Sequence, residues 1–178
     1  PRNEDFDIYR VERLASSGWG APSRLPGPVN SPASELLPRQ DASGKLYFGS
    51  AREGGLGQSD IYVAEEGPEG EWTVENVGPP VSTEANEYEA DVSRDGRTLV
   101  VVADRGDRSH LYRYRLEDSG WREIARVPAF PDVFQVGPLI SPAGDRLVFA
   151  QAVGELSGEM FVVDLEPQTS EQWPPECD

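Results

Sequence analysis

Histidine, cysteine, serine and carboxylate side chains are the groups from which a catalytic or metal site would be assembled. The sequence offers few of the arrangements that chemistry needs. His110 is the only histidine and Cys177 the only cysteine. A lone imidazole acts as a base only beside a nucleophile, and no Gly-x-Ser-x-Gly elbow occurs to provide one. Asp and Glu number 32, yet no two stand out as the acid and base of a glycoside hydrolase. No EF-hand loop and no His/Cys cluster offers a metal ligand set, so neither a cofactor nor a metal is expected; a calcium ion held by loop carboxylates and carbonyls is the alternative left open. One cysteine cannot form an intramolecular disulfide. With 16 Lys and Arg against those 32 acids the net charge is −16, and no basic run interrupts it, so nucleic acid is excluded as a partner. Apolar runs such as residues 99–103 are far too short for a membrane span, which needs about 20 residues.

The elements that would carry these side chains are legible from a repeat. The four tryptophans, Trp19, Trp72, Trp121 and Trp173, recur at blade-length intervals. About ten residues before each stands a polar residue followed by an aliphatic and an aromatic: Asp7-Ile8-Tyr9, Asp60-Ile61-Tyr62, His110-Leu111-Tyr112 and Glu159-Met160-Phe161. Between tryptophans a glycine turn precedes an apolar strand, at Gly44 before Leu46-Tyr47-Phe48, Gly96 before Leu99-Val100-Val101, and Gly144 before Leu147-Val148-Phe149. Each unit therefore reads as four short strands, in the middle unit near 88–93, 98–103, 110–115 and 121–127. The second strand is apolar at every position, as expected of a sheet covered on both faces. Blades of a β-propeller meet that requirement because each packs between two neighbours. The expected fold is all-β, with four-stranded antiparallel blades in a partial propeller: a partial blade at 1–28 and blades at 29–80, 81–130 and 131–178.

The second unit carries Val81-Ser82-Thr83-Glu84-Ala85-Asn86-Glu87-Tyr88, then Ser93-Arg94-Asp95-Gly96-Arg97, then Ala103-Asp104-Arg105. The first carries Ala51-Arg52 and Gly54-Gly55-Leu56-Gly57-Gln58-Ser59 before Asp60. These residues resemble the PD40, or WD40-like, repeats of TolB-type propellers. The third departs, with Ala143 for the turn Asp and Ala150-Gln151-Ala152 where the Asp-Arg pair is expected. The resemblance implies a six-bladed type of propeller in the bacterial periplasm or secreted, acting in binding or scaffolding.

On this reading His110 fills the polar slot of Asp7, Asp60 and Glu159, a structural position. The stretch from Ser93 to Thr98 is similar to a sialidase Asp-box, but its glycine comes one residue early and it reads as a hairpin turn. Arg105-Gly106-Asp107 spells an integrin-recognition tripeptide at a place where the repeat has an Arg and a turn. Arg52 and Arg105, at equivalent positions, are expected in salt bridges. Glu35, Glu87, Tyr88 and Gln135 stand at the start of the innermost strands and are the expected ligand-binding residues of the central channel. The expected function is a non-catalytic module that binds a protein or small ligand; the alternative is a propeller that gates substrate for a hydrolase or peptidase domain elsewhere in a longer chain. About three and a half blades do not close a ring. Further blades or self-association are therefore expected.

Overall fold

The structure, a computed structural model, describes residues 5–15, 18–153 and 156–165. Trp173 lies outside them, with most of the fourth-strand region of the last expected blade. Thirteen strands are present and no helix occurs among the described residues. A short pair, β1 (Tyr9–Arg10) and β2 (Ser23–Arg24), comes first. The first four-stranded sheet contains β3 (Glu35–Gln40), β4 (Leu46–Ser50), β5 (Asp60–Glu66) and β6 (Trp72–Asn76). The second contains β7 (Asn86–Val92), β8 (Thr98–Asp104), β9 (Ser109–Glu117) and β10 (Gly120–Arg126). The third has β11 (Gln135–Ile140), β12 (Arg146–Val153) and β13 (Leu156–Asp164). Every sheet is an antiparallel meander in chain order.

The hairpins form where the sequence has turn chemistry. In the β7–β8 turn Gly96 has φ +68°, its N–H bonds the Ser93 carbonyl, and the Asp95 carboxylate accepts from the Ser93 hydroxyl and the Arg97 N–H. Those bonds hold the Asp95 carboxyl below its ordinary range, the Ser93 hydroxyl being the larger cause. The Asp-box-like stretch is therefore a hairpin.

The apolar second strands explain how the sheets stack. Leu99, Val101 and Ala103 of β8 pack with Tyr47 and Ile61 of the first sheet, whereas Val100 and Val102 pack with Leu147 and Phe149 of the third. Successive side chains point to opposite faces, so one continuous apolar strand serves two cores. A third core joins Ile8 and Leu25 of the opening pair to Phe48 and Tyr62. The stack admits no side chain at one point: a Cβ on Gly49 of β4 would lie 2.2 Å from the Tyr88 carbonyl oxygen of β7.

Register divides the loops between two ends. Glu35 faces Ser50, Ser50 faces Asp60, and Tyr62 faces Asn76, so these positions share one end of the first sheet. The second sheet repeats this with Glu87, Ala103 and His110. The loops at 27–34, 51–59, 77–85, 105–108 and 127–134 therefore gather on one face of the stack, and the hairpins at 41–45, 93–97 and 141–145 on the other.

Candidate functional site

The loop face is where repeated and unrepeated side chains separate. The repeated ones are fasteners. Asn30 accepts from the Ile8 N–H at 2.7 Å and donates to the Ile8 and Leu25 carbonyls at 2.9 and 2.8 Å. The Ser82 hydroxyl holds the Ile61 N–H at 3.0 Å, and Gln135 Oε1 the Leu111 N–H at 3.2 Å. In each case a polar side chain entering one sheet satisfies a buried backbone group on the third strand of the sheet before it. The aliphatic of each of the first three sequence triplets thus marks a blade-to-blade clamp.

Glu35 and Glu87 hold the turns that lead into the inner strands. Ser31 donates to Glu35 from its N–H at 3.1 Å and its hydroxyl at 2.5 Å; Thr83 does the same to Glu87 at 3.0 and 2.7 Å. Arg52 adds an ion pair to Glu35 at 3.1 Å, donates to the Pro28 and Val29 carbonyls, and lies over the Tyr62 ring at 4.6 Å. Arg105 lies over the equivalent Tyr112 at 3.8 Å but pairs with Glu123 at 2.9 Å and bonds the Tyr114 hydroxyl. In the third sheet Gln135 faces Gln151, so Ala152-Val153 stand where Asp104-Arg105 do, one residue later than the sequence comparison suggests. There the arginine is lost and the glutamate is replaced by Gln135, so no buried carboxylate is left without its cation.

The four residues expected to line the channel are placed as follows. Glu35, Glu87 and Gln135 are buried, their polar atoms held by the turns and clamps just described. Tyr88 packs against the core between the second and third sheets, and its hydroxyl donates to Ser109 at 2.8 Å. The inner strands are instead tied together by Arg39, Glu89 and Asp91, which sequence reasoning missed. Arg39 Nε stands 3.4 Å from Asp91, Asp91 accepts from the Ile140 N–H at 2.6 Å, and Glu89 accepts from the Gly137 N–H at 3.0 Å. Burial raises both carboxyl pKa values, more than these donors lower them. The signal for them was charge inside a strand otherwise made for packing.

His110 occupies the Asp60 slot, as the repeat implies. Asp60 is buried and gathers the glycine-rich loop, accepting from the Leu56 N–H at 2.6 Å, whereas His110 Nε2 is 3.4 Å from Asp107. Asp107 places the third residue of the tripeptide beside His110 at the base of a loop.

Open concavities on the same face are lined by the repeated Arg52 or Arg105 together with side chains that differ between blades. One of about 490 Å³ is bordered by Gln58, Glu84, Asn86, Asp104, Arg105 and Asp107. A second of about 660 Å³, at the equivalent place in the first sheet, is bordered by Pro28, Ser31, Pro32, Ala51, Arg52 and Glu53. One repeat position has thus acquired an acidic lining in one blade and a more apolar one in the other. Among the described residues no group of three or more His, Cys, Asp or Glu side chains gathers as a metal site would require, and no helix is long and apolar enough to cross a membrane.

No protein-family model and no curated protein matches the chain. Solved structures do. TolB from Acinetobacter baumannii superposes with a TM-score of 0.55 at 14% identity, over 89% of this chain and 38% of that one. A structure described as TolB from Agrobacterium tumefaciens gives a TM-score of 0.56 at 16% identity, over 88% of this chain and 57% of that one. The chain spans less than two thirds of either relative. What the likeness establishes is the fold: three successive blades and the outer pair of a fourth, in a TolB-type β-propeller.

Proposed function

We propose that the chain is a non-catalytic propeller module, acting in the periplasm or outside the cell, whose loop face captures a protein or small ligand. One observation carries this reading. Repeated side chains such as Asn30, Ser82 and Glu87 are engaged in fastening, while the two equivalent concavities share an arginine, Arg52 or Arg105, and differ in side chains around it, Glu84 and Asp104 in one against Pro32 and Ala51 in the other. Conserved geometry with varied lining is how a repeat scaffold presents a contact surface. The expected channel residues belong to this proposal as supports of the turns beneath the surface. The TolB likeness adds a precedent for the fold and no partner.

The test compares capture from a periplasmic extract by the unaltered chain, by a loop-face variant (Glu84→Lys with Asp104→Lys), and by an opposite-face variant (Lys45→Glu with Arg97→Glu). Capture lost only in the loop-face variant is expected. Equal capture by all three would place the contact elsewhere.

The blade division at 28, 80 and 130 belongs to the same proposal, and so does completion by a further blade. Ile61 and Leu111 are wholly buried beneath the next blade, whereas Met160, at the same repeat position, is 66% exposed with Val162 beside it at 63%. An apolar position covered at Ile8, Ile61 and Leu111 and bare at Met160 calls for a further cover. Sedimentation of the 178-residue chain should show self-association, or a monomer that binds a hydrophobic dye. A monomer that binds no dye would count against the missing cover.

A further inference from the structure

Between the first and second blades the nine residues 51–59 fill the space beside Asp60. Leu56 and Gly57 donate to its carboxylate, Gln58 donates to the Ala85 carbonyl, and a Cβ on Gly57 would lie 2.0 Å from that same oxygen. Between the second and third blades the corresponding stretch, from Ala103 to His110, is only the six residues 104–109, His110 stands in place of Asp60, and the space is open. It forms a cavity of about 320 Å³ lined by Asp107, Arg108, His110, Arg126 and the stretch 129–133. The loss of three loop residues in one repeat has made a chamber where the neighbouring repeat is solid.

One cation of that chamber is without an ion pair. Arg108 pairs with Asp132 at 3.5 Å, and Asp107 stands 3.4 Å from His110 Nε2. Arg126 also lines it, and its guanidinium has no ion pair or side-chain hydrogen bond among the described residues. Phe130, 54% exposed, and Val133 supply an apolar wall. An unpaired arginine and an aromatic residue lining one chamber, in a chain of net charge −16, select an anion that brings its own apolar surface. We propose that this chamber binds a carboxylate carried on an apolar or aromatic group, such as the C-terminal residue of a peptide or a free aromatic acid. The carboxylate would sit on the Arg126 fork and the apolar group against Phe130. This deepens the reading of the loop face as a contact surface and rests on it.

The test titrates the 15N-labelled 178-residue chain with Gly-Gly-Phe bearing a free carboxylate, the same tripeptide amidated, and phenylacetate. The free-acid tripeptide or phenylacetate should shift the amide resonances of Arg126, Ala129, Phe130 and Val133, the tighter of the two identifying a chain terminus or a free acid as the source. Amidation should weaken the tripeptide by about tenfold or more, and so should Arg126→Gln, while Arg122→Gln on the same strand leaves affinity unchanged. Arg126 is an exposed, unpaired side chain on the outermost strand, so its replacement leaves the fold intact, checked by the dispersion of the same spectrum. Equal binding of acid and amide, no effect of Arg126→Gln, or no shift with any ligand would overturn the proposal. Failure here leaves partner capture by the loop face standing, because that experiment uses neither Arg126 nor these ligands.

Discussion

Gly49 offers a direct test of how closely the blades approach. It lies in β4, wholly inside the first sheet, and a methyl group added there would meet the Tyr88 carbonyl oxygen at 2.2 Å and its carbonyl carbon at 2.7 Å. Ordinary contact begins about 1 Å farther out, and the obstructing atoms are backbone of β7, which cannot rotate away as a side chain would. Gly49→Ala must therefore push the second blade off the first or distort both strands. Overpacking of this kind costs about 1–3 kcal/mol; with a urea slope of about 2 kcal/mol/M the unfolding midpoint should fall by roughly 0.5–1.5 M. The control is Gly158→Ala, where the nearest neighbour of the new Cβ is the Ala150 methyl at 3.7 Å. That variant should unfold at or above the original midpoint, since it only restricts the unfolded chain. Equilibrium urea unfolding followed by tryptophan fluorescence reads both. If Gly49→Ala unfolds with the unaltered midpoint, the backbone contact between the blades is not as described and the stacking argument fails.

Two further outcomes follow from the fasteners. Arg52→Val should cost about 3 kcal/mol because it strands the buried Glu35 carboxylate, and adding Glu35→Gln should recover at least about 1 kcal/mol, since the pair then matches Gln135 and Val153 of the third sheet; a double variant less stable than Arg52→Val, measured by the same unfolding, would refute the compensation. Burial raises the carboxyl pKa values of Glu89 and Asp91 in the folded state, so the native chain holds those protons more tightly than the unfolded one, and their contribution to stability is lost as pH rises from their ordinary values of 4.5 and 3.8 through the raised ones. Glu89→Gln with Asp91→Asn should flatten that part of the pH–stability curve in thermal unfolding between about pH 4 and 7, and an unchanged slope would show that other groups control it.

The blades were legible because their causes are local. The turn at Gly96, the apolar run from Leu99 to Ala103 and the triplets ending in Tyr62 and Tyr112 each act within a few residues, and the strands form where they stand. The equivalence of His110 with Asp60 was also readable, since a repeat aligns positions without any knowledge of contacts. The channel residues were not readable in the same way. Whether Glu87 faces a lumen or a turn depends on where the Thr83 hydroxyl sits, and whether Arg39 meets Asp91 depends on the spacing of two inner strands 52 residues apart in sequence.

By itself the sequence determined the all-β class, the four-strand unit, its period and a net charge of −16, because hydrophobic alternation, turn chemistry and charge are properties of short stretches or of sums. Only the tertiary structure decided which polar side chains are clamps and which remain free. It also showed that a loop shortened by three residues opens a chamber beside Arg126, and that Met160 is bare where Ile61 and Leu111 are covered. Those are facts about what one blade presents to the next, and no single repeat contains them.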